Sequence, residues 1–486
     1  MGYLNAYVPE AKGLTRNVKT AWEGLDRLHT QDTGYLSEAS NISVRAYPFV
    51  ESAKGEEIVY KCGDGTIEGG PIETLHSIHA TGENTYVMFT QLSGSLCFNY
   101  YNGTSWAGAI TVSDANFSTA ISVAPFNVYE EGEDSNIVSA TYRRKILIYP
   151  YCLSYDPLDH KNGLKSFNPK DNPVPALDKV TVQGGRVFGV KDGKFFASAW
   201  NNYANWDLPT ADTTEDEAPA MAWVSTTQSD IDASGEFTGI TVYDGQVIGF
   251  KRNFMHMLYN NKNPFRIVDV AKVGAISQEA ICEVGQILFF VAEDGVYAFT
   301  GGTPTRISDN LDISNYEGSV LGGDDKTLYC YVPSEARTFT YDTVYSKWGA
   351  IETPSIKCSA TVGNRCLIGN DRGIYALNEG VCGDFSLTTD ISFGGALVEK
   401  KINRVRLQVV HKTHRSGDII KVEILKASGV SVASREFLPR ESCDKILSFL
   451  SRMTCDFGHK VKISGRGDWE IRYLQLDYDT GGETYA

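Results

Sequence analysis

Two histidine pairs have a spacing that a metal site could use: His76 and His79 in HSIH, and His411 and His414 in HKTH. Both lie in stretches that alternate like strands, where residues i and i+3 point to opposite faces. The expectation is therefore no metal and no cofactor. Aromatic clusters offer a second chemistry. WNNYANW (200–206) brings Trp200, Tyr203 and Trp206 close together, and NYYNGTSW (99–106) adds Tyr100, Tyr101 and Trp106. Rings so spaced could stack on sugar faces, as a carbohydrate-binding surface requires. Tyr and Trp at strand ends also pack between sheets with their polar atoms satisfied, and that reading stands beside the first.

Catalysis finds little support. Glycoside hydrolysis needs paired carboxylates or a Tyr nucleophile, with an arginine cluster where the substrate is anionic. No arginine triad and no Ser-x-Asp-x-Gly-x-Thr-Trp box occurs, nor a G-x-S-x-G elbow, H-E-x-x-H or P-loop. GGTPTR (301–306) lacks the Lys-Ser/Thr pair that cradles phosphate. The expectation is a protein that is not an enzyme. Asp-Gly pairs such as Asp294-Gly295 read as hairpin turns.

The ten cysteines are scattered with no CxxC, and MGYLNAYVPEAKG has neither the basic nor the apolar region of a signal peptide. Free, mostly buried thiols and assembly in the cytoplasm are expected. There is no run of about 18 apolar residues, so no membrane insertion is expected. The net charge of −15 is uneven: residues 396–486 hold 16 Lys/Arg and 12 Asp/Glu, net +4, which leaves −19 on residues 1–395. So acidic a body does not grip nucleic acid through its phosphates. Its charge suits solubility, or a surface past which DNA slides without adhering.

The elements that would position these residues are hairpins. Apolar strands joined by Gly/Asp/Asn turns recur at 78–100, 138–156, 180–200, 240–260, 281–301, 320–342 and 358–378. The later starts are 41, 39 and 38 residues apart, the length of one four-stranded propeller blade. The best helical candidate, VKTAWEGLDRL (18–28), is short. Hairpins with no helix to cover them must close on themselves. The fold class expected is all-β: a β-propeller of six to seven blades over 71–385, an extended N-terminal arm at 1–70, and a C-terminal β-sandwich at 386–486. A solenoid or a pair of sandwiches is the alternative for the central region.

Several stretches, in this order along the chain, resemble the β-propeller structural proteins of tailed bacteriophages and prophages. They are GLDRLHTQDTGYLSEASNISVRAYPFV (24–50), FFASAWNNYANW (195–206), GVYAFTGGTPTRISDNL (295–311), FTYDTVYSKWGAI (339–351), KKINRVRLQVV (400–410) and GHKVKISGRGDWEIRYLQLDYDTGG (458–482). The resemblance implies a virion protein of the neck, head–tail connector or tail nozzle. It further implies a ring of copies around the DNA path, neighbouring portal, adaptor or tail proteins, and DNA that passes without sequence-specific binding. In such a particle Tyr35, Leu36, Tyr47 and Phe49 of the arm would dock on a sheet edge or an adjacent subunit. Alternatively, the arm closes the propeller by giving a strand to the last blade.

Overall fold

The computed structural model describes residues 8–10, 14–28, 35–61, 72–79, 85–91, 96–101, 110–113, 121–130, 141–156, 164–168, 173–225, 235–259, 262–389, 400–455 and 458–480. Among them the chain is all-β, with helical structure confined to three-residue 3-10 turns, and no helix is long and apolar enough to cross a membrane. The best helical candidate, 18–28, is not a helix. Gly24 sits at φ +81, where a Cβ would come within 2.6 Å of the Trp348 carbonyl oxygen. Leu25 bridges to Leu36 instead.

Five antiparallel four-stranded sheets follow one another along the chain, and a sixth set of four strands forms one end of an eleven-stranded sheet. They begin with the strands Ile72–His79, Ser122–Glu130, Lys179–Gln183, Phe237–Tyr243, Ile281–Val284 and Val320–Gly323. A seventh begins at Cys358–Val362, and its outer strand is Glu57–Lys61, brought back from the N-terminal part of the chain. The first strand of each sheet lies beside that of the next, and the seventh lies beside the first. Tight turns make the hairpins. Asp244 and Gly245 both have positive φ, the two-residue geometry that matches strand twist, and Asp192-Gly193 repeats it. Asp294-Gly295 differs from the expectation: Gly295 already pairs with Ala292, so the turn is Glu293-Asp294. The glycine is there because a Cβ would meet Arg306 and Ser308 side chains at 2.6 Å.

Beyond residue 383 two further sheets face each other. One runs Leu36–Ser40, Asp384–Thr389, His459–Arg466, Ile419–Lys426, Ser431–Phe437. The other places Lys400–Thr413 between Cys443–Cys455 and Asp468–Thr480, and continues to Leu14–Lys19 and Val8–Glu10. Ile402, Val405, Leu407, Ile420, Val422 and Ile463 fill the space between them.

The arm expected at 1–70 does not stand apart in its described residues, 8–10, 14–28 and 35–61; the rest of it lies outside the described residues. Leu14–Lys19 and Leu36–Ser40 complete the two facing sheets. Val50–Ser52 and Ile42–Ser43 carry the sheet across from Asp468–Thr480 to Lys347–Ile351 of the sixth sheet. Glu57–Lys61 then completes the seventh. The reason is burial: Trp22, Leu36, Ile42 and Val50 are all fully enclosed, each worth about 2 kcal/mol or more. They share one apolar cluster with Phe339 and Trp348 of the sixth sheet and Val405 and Leu476 of the facing pair. The C-terminal sandwich thus starts at Asp384 and contains N-terminal strands, where the sequence suggested a self-contained 386–486.

Candidate functional site

The four residues expected to dock elsewhere dock within their own chain. Leu36 is fully buried at the edge of the five-stranded sheet. Tyr47 donates its hydroxyl to Glu23 at 3.2 Å and packs its ring 5.2 Å from Tyr345. Phe49 meets the ring of Tyr473 edge-on at 5.7 Å, with the Arg472 guanidinium 5.4 Å from its centre. Lys347 stands 5.8 Å from the ring of Tyr35 and pairs with the buried Glu23. Leu36 has no surface to offer another subunit.

The histidine pairs divide. The side chain of His79 lies outside the described residues. His76 is pushed down to about 4 by burial and by the Lys179 ammonium. His411 and His414 do meet, against expectation, because the strand ends at Thr413 and the chain turns back; their rings are 5.6 Å apart. Asp418 joins them, with donor atoms within 4.8 Å of one another. Yet Asp418 already holds His411 Nε2 at 2.9 Å and accepts the Arg415 N–H at 2.7 Å, while His411 Nδ1 faces the Glu441 carbonyl at 3.3 Å. The cluster works as a clasp between Lys400–Thr413 and Ile419–Lys426, and His411 stacks on Trp469 at 4.3 Å.

The aromatic run 200–206 is likewise split. Trp206 is buried and donates Nε1 to the Tyr203 carbonyl at 3.0 Å. Tyr203 packs edge-on against Phe126 and Phe167 at 5.3 and 5.2 Å, between the second and third sheets. Trp200 alone of the three turns outward, 58% exposed. Trp106 and the side chains of Tyr100 and Tyr101 lie outside the described residues.

Trp200 borders a cleft of about 490 Å³ between the third and fourth sheets. The hairpin turns of both sheets line it: Gln183 Nε2 donates to the Gly245 carbonyl at 3.0 Å and ties one turn to the other. Asp216 and Pro219 come from the connection after Trp206, and Lys262 and Phe265 from the outer part of the fourth sheet. A second recess of about 550 Å³ shares Trp200 and Ala220 and is lined by Asn202, Asp207, Asp212 and Glu217.

The backbone that carries the indole is fixed. Backbone N–H groups of Ala199, Trp200 and Asn201 donate to Asn205, Ala220 and Gly185 at 2.9, 2.8 and 2.8 Å. Beneath it Arg186, 2% exposed, donates to the carbonyls of Ser198, Met221 and Pro219 and so staples both ends of the 198–221 excursion to its sheet. Its Nε–H has no acceptor among the described residues, and burial lowers its pKa from the usual arginine range. Sequence reading found Trp200 but missed Arg186, Gln183 and Lys262, which no motif marks.

No family model matches the chain, and no curated protein matches it. Solved structures with a similar course include the extracellular domain of a one-component system from B. thetaiotaomicron, with TM-score 0.41, 11% identity, and 75% of this chain covered. This chain spans 44% of that one. A computationally designed protein gives TM-score 0.36 at 11% identity, over 67% of this chain and 100% of the other. A glycoside hydrolase family 43 arabinoxylan arabinofuranohydrolase from Bacillus subtilis gives TM-score 0.22 at 10% identity, over 85% and 97% of the two chains.

Proposed function

We propose that the seven sheets are the blades of a β-propeller and that the chain is a structural protein of a tailed-phage virion. It would form a ring around the DNA path at the head–tail connector, neck or tail nozzle and help retain or conduct the genome. The observation that carries the reading is the threading of residues 14–61 through the C-terminal sandwich, the sixth sheet and the seventh in turn. Such interlocking removes the freedom of one module to swing against the other. A component that must keep its shape while DNA is driven past it needs that; a catalyst that opens and closes does not. The −19 body supports the same reading, since phosphates meet no attractive wall. The sequence resemblance supplies the place in the particle.

The partners proposed are copies of the same chain, together with portal, adaptor or tail proteins, after assembly in the host cytoplasm. Heterologous contacts, with the net +4 stretch 396–486 of one copy against the acidic surface of the next, would build the ring. Imaging of purified particles tests this. The expected result is a ring coaxial with the DNA, of about six or twelve copies, the number being the one the resemblance implies. Quantitative mass spectrometry that finds one to three copies per particle overturns it, and so does an image with the chain off the DNA axis. The intact chain must be used, because removing residues 1–55 takes strands from both sandwich sheets.

A further inference from the structure

The cleft beside Trp200 is not accounted for by a ring-forming role. A tryptophan that serves packing is enclosed, as Trp22, Trp206, Trp348 and Trp469 are here at 8% exposure or less. Trp200 is 58% exposed, yet its backbone is bonded on both sides and anchored from below through Arg186. The backbone beneath the indole is thus ordered by folding and costs nothing more to fix when a ligand binds, which favours a preformed platform.

We propose that this cleft binds a saccharide, with the face of Trp200 stacking on the C–H face of a pyranose ring. The lining suits that class. The same cleft is lined by two amides, Gln183 and Gln246, one carboxylate, Asp216, and one ammonium, Lys262, together with Phe265 and Val247. Donors and acceptors of both signs in one cleft with an exposed flat apolar face match a ring that carries hydroxyls on its rim and C–H groups on its faces. A lipid or aromatic ligand would leave these polar groups unpaired. The volume of about 490 Å³ falls within the range of about 300–1,000 Å³ usual for small-ligand clefts. The second recess, with about 550 Å³ and a more acidic, amide-bearing lining, shares Trp200 and Ala220 with this cleft. An oligosaccharide that crosses Trp200 therefore fits better than a single sugar. Arg186 supports the platform from beneath; it is a positioning residue. The inference does not depend on the ring or on the place of the chain in a particle.

The test is an array of neutral and N-acetylated oligosaccharides probed with the fluorescently labelled intact chain, followed by titration calorimetry on any saccharide that binds. The expected result is binding of at least one oligosaccharide, weakened at least tenfold by Trp200→Ala and several-fold by Asp216→Asn or Lys262→Ala. Val344→Ala, at an exposed site on the sixth sheet, should leave it unchanged. Acrylamide quenching adds a readout on the indole itself: the bound saccharide should shield the fraction of fluorescence that Trp200→Ala removes. Three outcomes overturn the proposal: no binding anywhere on the array, binding indifferent to Trp200→Ala in a folded variant, or equal competition by an unrelated peptide. None of them touches the virion reading, which the particle image decides separately.

Discussion

Arg45 shows how a single side chain fixes the N-terminal segment. Its Nε–H donates to Thr327 Oγ1 at 2.7 Å and its guanidinium pairs with Asp324. Asp324 in turn accepts the Tyr329 hydroxyl at 2.8 Å and two backbone N–H groups. Asp324 is 7% exposed in its side chain and Arg45 31%. Arg45→Ala would leave that carboxylate enclosed without its cation. The expected loss in urea unfolding is about 2–3 kcal/mol, below the about 3–5 kcal/mol of a fully buried pair because Arg45 is partly solvated. Protonation supplies a second residue-level prediction. Burial holds His76 down to about 4 from 6.5, and burial also lowers His256 against the opposing hydrogen bond of Asp269. Between about pH 6.5 and 4 the unfolded chain therefore binds more protons than the folded one, so stability falls as pH drops through that window and is level above it. Urea midpoints measured from pH 8 to 5 should show the decline, and His76→Phe should flatten most of it; a midpoint that rises on acidification contradicts the assignment. The sequence made Trp200 legible as an aromatic of interest but not as the one of its trio that faces solvent. Which of Trp200, Tyr203 and Trp206 turns outward goes with backbone bonds to Gly185, in a hairpin turn, and Ala220, in the connection that follows Trp206.

At the level of elements, the hairpins were readable because the apolar period of two and the Asp-Gly turns are local properties. Asp192-Gly193 and Asp244-Gly245 adopt the expected turn. The N-terminal strands were not readable. LSEAS pairs with Asp384–Thr389, and Leu14–Lys19 pairs with Asp468–Thr480, across more than 340 residues of chain, and nothing local encodes such a partner. Trp22 and Leu25, spaced as on a helix face, are buried by a non-helical segment that Gly24 bends against Trp348. Residues 386–486 expressed alone should therefore lack an edge strand in one sheet and a strand next to Asp468–Thr480 in the other. The expected result is aggregation or dye binding by the fragment, relieved when residues 8–61 are co-expressed with it. A monomeric fragment with dispersed amide resonances would show that the two N-terminal strands are dispensable. Trp22→Ala in the full chain should cost about 3–5 kcal/mol, since the ring is fully enclosed and its Nε1 donates to the Arg472 carbonyl at 2.9 Å.

For the whole molecule, the change of texture and charge sign near residue 385 suggested two bodies, yet packing joins them. Lys347–Ile351 of the sixth sheet connects through Ile42–Ser43 and Val50–Ser52 to Asp468–Thr480, so backbone hydrogen bonds run from one part to the other. The apolar cluster is shared as well: Phe289, Leu328 and Trp348 belong with Ile402, Val422 and Leu474. Charged contacts reinforce the junction, where Lys412 reaches both Glu51 and Glu470. Burial alone would raise the pKa of Glu470, but the hydrogen bonds from Arg472 and Lys412 outweigh it and hold the carboxyl below its ordinary value. Cooperativity follows the continuity of core and sheet more than the texture of the sequence, because a transition that melts one part exposes the apolar surface of the other. Scanning calorimetry at neutral pH should accordingly show the sandwich melting together with the fifth to seventh sheets in one transition. Lys412→Ala, at the junction, should shift that transition downward without splitting it. Two resolved transitions, the second surviving with the sandwich intact, would mean that the shared sheet couples the parts too weakly to bind them into one cooperative unit.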